Sequence, residues 1–503
     1  MTRPSVVLRF PTRVRAVLLA GVALSLLAVP GGVPESELEA KGDLITMAPQ
    51  RIDGVDIEEY TVDQDGPRIS AQIPVVAGAP AFTSEIRTSM AENHTDFMTG
   101  NDGEGEASLR QQATFLAAAK GVLGARITST REDDSGTTVA TTTRWYDADS
   151  GAVLPWTALF SGEEAIDTAA AQVSRLLQDE QGVAAEDLPE GLPSPAQSSA
   201  PAAEPSEPSD VDAQAAWELA DELADSPLHD VGFAPNGGLV VSLPDPAADA
   251  DSGQRVRVAL DAQTAQPLLS EFGVRAGEAA AAGAEGADLG GFAEPAAASG
   301  SGIDCDRVPC VALTFDDGPG EHTGEVLDAL DAYSADATFY VLGQMVEEMP
   351  GVVARTAEEG HEIGSHSWKH DNLAQKSGPA VEKDLSRTAE AIEEASGEPP
   401  RTLRPPYGAF NETTLDHTDA PVILWDVDTL DWQHRDSEKV VDIAVADTRP
   451  GSVVLFHDIH KSTVDAVPDV LRRLHAKGYH FVTVSDLFEG SELKPGATYT
   501  RRD

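Results

Sequence analysis

Short apolar runs punctuate the last part of the chain: VALTFDD (311–317), ATFYVLG (337–343), HEIGSH (361–366), LRPPYG (403–408), VILWDVD (422–428), SVVLFHD (452–458) and HFVTVSDL (480–487). The third and fourth are weak as strands and count for their position. Most are separated by stretches of helical spacing or composition, such as GEVLDALDAYS, GPAVEKDLSRTAEAIEEASG and AVPDVLRRLHAKG. Strand and helix in alternation imply parallel strands joined by helical crossovers. Seven such runs predict an α/β fold, a distorted (β/α)7 barrel over residues 303–490, with an open doubly wound sheet as the structural alternative.

Upstream the pattern differs. DIEEYTVDQDGPRISAQIPVV alternates like strands, AFTSEIRTSMAENHTDFM has helical spacing, and the stretch from Ala125 to Phe160 reads as a meander with Asp-Ser-Gly turns. GEEAIDTAAAQVSRLLQ is helical again, and strands resume in LHDVGFAPNGGLVVSLP and QRVRVALDA. Residues 43–274 therefore read as a separate α+β domain. A Pro/Ala/Ser-rich insertion at 186–210 and an Ala/Gly-rich linker at 275–302 look too poor in large apolar residues to fold alone. The first domain carries no catalytic constellation; its two histidines, His94 and His229, read as surface residues.

Charge narrows the partners. With 35 Lys and Arg against 85 Asp and Glu, the formal net charge of −50 argues against nucleic acid, which needs a cationic face. The N-terminus is the exception: Arg3, Arg9, Arg13 and Arg15 precede AVLLAGVALSLLAV, which Pro30 ends. This stretch suits a signal peptide and is short for a spanning helix, so residues 1–34 read as a signal peptide or a membrane anchor and the rest of the chain as exported, secreted or held at the wall or outer membrane face. Contact with a membrane is expected only through that anchor. Cys305 and Cys310 are the only cysteines, and in an exported chain so close a pair reads as a disulfide.

The polar residues of the barrel region fall at the C-terminal ends of its apolar runs, the rim on which βα barrels build active sites. Asp316 and Asp317 end the first run, His366 the third, Asp428 the fifth, and His457 with Asp458 the sixth; Arg404 and Tyr407 lie in the fourth. Adjacent carboxylates repel, and a cation would offset one of them. His366 and His370, four apart, can face one ion, and two histidines with one carboxylate make a catalytic zinc set. Spacing alone does not say which of Asp316 and Asp317 is the ligand. Asp458 reads as a helix cap and His361 as structural; Trp425 and Trp432 read as core or groove wall, or as a platform for a sugar.

TFDDGP, HSWKH, RPPYG, DTLDW and LFHD, in this order, resemble the motifs of the polysaccharide deacetylase family, the NodB homology domain of carbohydrate esterase family 4, over roughly residues 305–488. The resemblance implies a distorted barrel and these roles: Asp316 the catalytic base, Asp317, His366 and His370 the metal ligands, and Arg404 the holder of the base. It further implies that Tyr407 gives a backbone N–H to the oxyanion, Asp428 orients the catalytic histidine, and His457 is the general acid. Asp431, in the same DTLDW motif, is left without a decided role, and Trp432 is placed with the substrate. WYDADSGAVLPWTALF resembles part of the RsiV-type extracellular domain found in some peptidoglycan deacetylases. The function expected from all of this is an exported N-deacetylase of cell-wall amino sugars, peptidoglycan first, using a divalent metal, zinc before cobalt or another ion. The alternatives are a deacetylase of chitin-like chains or acetylated xylan, and a wall-binding or sensor protein whose barrel is secondary.

Overall fold

A computed structural model describes residues 43–63, 66–100, 107–193, 212–248, 252–292, 301–491 and 493–503. The expected signal peptide or anchor at 1–34 lies outside the described residues, as does most of the insertion at 186–210. Among the described residues, no helix is long and apolar enough to cross a membrane.

In the first domain six strands lie in sequence order in one sheet: β1 (Val55–Val62), β2 (Arg68–Val76), β3 (Ser108–Ala119), β4 (Val122–Asp133), β5 (Gly136–Asp147) and β6 (Ala152–Pro155). Helix α1 (Pro80–Gly100) makes the crossover between β2 and β3, the one parallel pair of this sheet. After α2 (Glu163–Gln181) and α3 (Ala213–Glu222), an antiparallel sheet of β7 (Val231–Phe233), β8 (Leu239–Pro244) and β9 (Arg255–Leu260) follows, then α4 (Ala262–Ala265) and α5 (Glu271–Glu285).

Two features depart from the sequence reading. β3 was not among the expected strands: it alternates cleanly only as far as Phe115, and past a bulge its Ala-rich end is buried on both faces. The linker expected at 275–302 begins as helix, since α5 runs to Glu285 and buries Ala276, Ala279, Ala280 and Gly283. Small residues are what let it approach so closely: a Cβ on Gly283 would stand 3.2 Å from the backbone N of Ala118 on β3. The Ala/Gly composition marks close packing here.

In the second domain, β10 (Cys310–Asp316), α6 (Thr323–Asp331), β11 (Thr338–Val341), α7 (Gly343–Glu348), α8 (Pro350–Glu358), β12 (Glu362–Ser365) and α9 (Gly378–Ser396) follow the predicted alternation. The remainder is α10 (Glu412–Leu415), β13 (Val422–Ile423), β14 (Val427–Asp428), α11 (Asp431–His434), α12 (Ser437–Asp447), β15 (Val453–His457), α13 (Lys461–His475), β16 (His480–Phe481), α14 (Val484–Leu487) and β17 (Thr498–Tyr499). Strands pair in the order β12-β11-β10-β15-β14, all parallel. The fourth expected strand shrinks to Leu403, which bridges Ser365 on one side and Val422 on the other and so carries the wall round to β13. β16 pairs with the first two residues of β10. The domain is thus a distorted (β/α)7 barrel. Helix α13 shows why the helices coat it: Val464, Val467, Leu471 and Leu474, spaced three or four apart, make one buried stripe.

The disulfide Cys305–Cys310 is formed, with Cα atoms 5.4 Å apart, and closes the loop that leads into β10. Arg307 within that loop binds Glu92 through two nitrogens at 2.8 Å and also meets Glu85, both on α1. Phe97, Met98 and Leu109 of the first domain share a buried cluster with Leu330, Leu474 and Phe481 of the barrel.

Candidate active site

In-register parallel pairing sets Asp316 on β10 opposite His457 on β15 and Tyr340 on β11. These residues of three neighbouring strands therefore stand at one level, at or one residue short of the strand ends. The pocket behind Asp316 is built by Arg404, which is wholly buried. Its Nη1 donates to Asp316 Oδ1 at 2.8 Å and to Thr314 Oγ1 at 2.7 Å. Its Nε and Nη2 donate to the carbonyls of Ile423 and Leu424 at 3.1 and 2.8 Å, and the guanidinium lies 4.2 Å from the Tyr340 ring centre. A buried ion pair is tolerable only when its remaining polar atoms are satisfied, and these are. Thr314 was overlooked in the sequence, yet it stands two residues before Asp316 and hence on the same strand face.

Asp317 leaves the strand in the left-handed region, at φ 72°. Its Oδ1 lies 3.2 Å from His370 Nε2 and 3.5 Å from His366 Nε2, and the three side chains can present ligand atoms within 4.8 Å of one another. HSWKH is a compact loop, and its turn places Ser367 at φ 69° and His370 at φ 65°. His366 Nδ1 lies 2.7 Å from the carbonyl of Arg404, so it carries the proton and leaves the Nε2 lone pair facing Asp317. Burial, with His370 beside it, keeps His366 below the usual imidazole range against the pull of Asp316 and Asp317, so it is neutral as a ligand must be. Asp317 Oδ1 is buried with no hydrogen-bond partner. An orphaned carboxylate oxygen facing two imidazoles fits a divalent cation.

On the far side of Asp316, His457 Nδ1 lies 2.8 Å from Asp431 Oδ1, and its backbone N donates to Asp431 Oδ2 at 2.7 Å. Thr463 Oγ1 and the backbone N of Trp432 also donate to Asp431, each at 2.7 Å. The orienting contact expected of Asp428 is thus made by Asp431, and that expectation is corrected. The reason lies in the turn between them. Leu430 takes φ 53° and swings the chain inward, so Asp431 is wholly buried, whereas Asp428 spends its Oδ1 on the backbone N of Leu430 at 2.9 Å. Burial alone would lower the His457 pKa; the hydrogen bond and charge of Asp431, with help from Asp316 and Asp317, outweigh burial and raise it to about 9.

Tyr407, at φ 61° and 69% exposed, sets its ring against His370 with centroids 4.5 Å apart. With Trp432 and Ile459 it completes the set of large apolar side chains left exposed among the described residues, and each stands beside a residue of this rim. Trp425 is half-buried with its ring 5.6 Å from the Arg404 guanidinium, a supporting wall. Among the described residues, six of the eight non-glycine residues with positive φ, namely Asp317, Ser367, His370, Tyr407, Leu430 and Arg435, belong to these site loops, the clustering of strain expected where geometry serves a site. Asp458 does not cap α13: it is buried, accepts from Thr323 Oγ1, and is pushed up to about 7 chiefly by burial. His361 is buried, its ring 5.6 Å from Phe339, in keeping with a structural part.

The polysaccharide deacetylase family model matches residues 304–420. A peptidoglycan-N-acetylglucosamine deacetylase of Listeria monocytogenes is 43% identical over 190 residues, covering 38% of this chain and 41% of that protein. A peptidoglycan-N-acetylmuramic acid deacetylase of Bacillus subtilis is 40% identical over 180 residues, covering 36% of this chain and 38% of its own length. A peptidoglycan-N-acetylglucosamine deacetylase of Bacillus cereus is 36% identical over 190 residues, covering 36% of this chain and 69% of that protein. The chain belongs to the polysaccharide deacetylase family. It matches about two-fifths of the length of the first two of these relatives.

Proposed function

We propose that the protein is an exported, metal-dependent N-deacetylase of cell-wall amino sugars, with peptidoglycan as substrate. The observation that carries this reading is the flanking of Asp316 by two opposed devices: an orphaned Asp317–His366–His370 cluster on one side and the Asp431–His457 pair on the other. The peptidoglycan part is supported by the activities named for the Listeria and Bacillus relatives.

Asp317, His366 and His370 would hold a divalent ion, zinc before cobalt, which when bound polarises an amide carbonyl and acidifies water. The chain's own residues do the rest. Asp316, fixed by Arg404, takes the proton of the attacking water as its oxygen bonds to the acetyl carbon. The backbone N–H of Tyr407 is the protein donor to the oxygen that becomes negative. Nitrogen leaves only as the amine, so the C–N bond breaks as His457, charged at neutral pH, gives up its Nε2 proton while Asp431 holds Nδ1. Acetate and a free amino sugar result. Trp432 and Tyr407 offer exposed rings on which a sugar face can lie.

Acetate release from purified peptidoglycan, chitin oligomers and acetylated xylan, each with zinc-loaded protein, tests the substrate. Release from peptidoglycan in excess is expected, and mass spectrometry of the digested product identifies which amino sugar has lost its acetyl group. Turnover of acetylated xylan alone would move the protein to the esterases, and no turnover of any would favour a wall-binding role.

A further inference from the structure

The first domain docks on the barrel at the end opposite the active site, through three histidines. His94 on α1 is the middle of the group: its ring centre lies 4.7 Å from that of His475, at the end of α13, and 4.9 Å from that of His480, at the start of β16. All three are buried, at 3, 4 and 7% exposure for His94, His475 and His480. His94, expected from sequence to be a surface residue, is thus corrected to an interface residue, its ring packed against Tyr60 of β1 and against His475 and His480 of the barrel. β10 begins at Cys310, paired with His480, and ends at Asp316, so the group lies about 20 Å from the rim at the rise of a strand.

The hydrogen bonds of the group suit neutral rings. His480 Nε2 donates to the carbonyl of Ala91 at 3.2 Å and lies 3.0 Å from Thr95 Oγ1, so its Nε2 carries the proton. His475 Nε2 lies 3.4 Å from the hydroxyl of Tyr60 on β1. His94 Nε2 is buried with no hydrogen-bond partner. The charged groups around them have other partners. From β1, Glu58 is paired with Arg87 of α1 and Glu59 accepts from Gln72; Glu85 and Glu92 of α1 are engaged by Arg307. Tyr333 and Asp336, after α6, and Tyr479, before β16, line a cavity together with His94 and His480.

We propose that this histidine trio makes docking of the two domains acid-sensitive, so that protonation of the rings releases the first domain from the base of the barrel. Three imidazolium ions in contact would repel, and each would be stripped of water at the interface. Burial, and for His94 and His475 also the neighbouring rings, keeps all three below the usual imidazole range, to about 4 for His475 and His480. A histidine set free in water titrates near 6.5. The separated state therefore binds protons first. Docking is at full strength above about pH 6.5 and weakens as pH falls toward 4, by up to about tenfold per pH unit for each histidine.

Hydrogen exchange of the full chain, followed by mass spectrometry and corrected for the intrinsic pH dependence of exchange, reads the contact directly. Peptides covering 88–98 and 475–481 are expected to lose at least tenfold protection between pH 7.5 and 5, while peptides of β10 and β15 keep theirs. His94→Phe, which keeps a ring and removes a proton site, is expected to flatten that dependence. Imidazole NMR of the wild type serves if the variant does not fold: the trio should stay neutral wherever the two segments are protected. Unchanged protection down to pH 5, or protonated rings at pH 6 with protection intact, would overturn the proposal.

Discussion

Asp431 grips His457 at two points: one carboxylate oxygen lies 2.8 Å from the ring Nδ1 and the other takes the backbone N–H at 2.7 Å. Both the orientation of the imidazole and the position of its strand end therefore depend on one buried carboxylate. Asp431→Asn should keep the fold, lower kcat by roughly 100-fold or more, and shift the pH profile. The wild-type raised pKa of about 9 means that His457 is charged below that value and that activity as an acid declines as pH rises through it. In the variant the alkaline decline should move toward the ordinary imidazole range. Asp428→Asn should leave that limb in place. kcat against pH for the three proteins checks this.

Arg404 and Asp316 are a buried pair whose separation is costly. Arg404→Met leaves the carboxylate desolvated and unpaired, and should lower stability by roughly 3–5 kcal/mol. Adding Asp316→Asn should recover part of that loss, because the residual charge is gone. Denaturant unfolding of the single and double variants measures both. Equal stability of Arg404→Met and wild type would contradict the buried-pair account.

Metal affinity should depend on the orphaned oxygen of Asp317. Asp317→Asn is expected to weaken zinc binding by more than about 100-fold, since even changes to the partners of ligands cost about 10- to 100-fold. Calorimetric titration of metal-free protein gives the number. Asp458→Asn, a buried neighbour that is no ligand, should bind zinc nearly as the wild type does.

The loop closed by Cys305 and Cys310 holds Arg307 against α1. Replacing both cysteines by alanine should cost about 2 kcal/mol from the freed loop. It should also loosen the contact with the first domain before the barrel itself unfolds. Chemical denaturation followed separately at the two domains would show this order.

Much of the barrel was legible because β10, β12, β14 and β15 end in polar residues and the longer helices, α13 above all, carry an apolar stripe. Asp316, Asp317, His366, Arg404 and His457 could be placed on one rim from strand order alone, since parallel strands in register bring their last residues to the same level. The choice between Asp428 and Asp431 could not be made that way: it turns on the left-handed Leu430, and a leucine gives no warning of φ 53°. His94 was misjudged because its burial comes from residues nearly 400 positions away, His475 and His480. β3 and α5 were obscured by alanine, whose small side chain permits close packing but leaves little periodic signal.

The most direct test of the central claim is acetate release from purified peptidoglycan by three preparations: zinc-loaded wild type, metal-stripped wild type and zinc-loaded Asp316→Asn. The account predicts release from the first alone, with activity returning to the second on adding zinc. Release by the stripped protein, or undiminished release by Asp316→Asn with zinc bound, would contradict it.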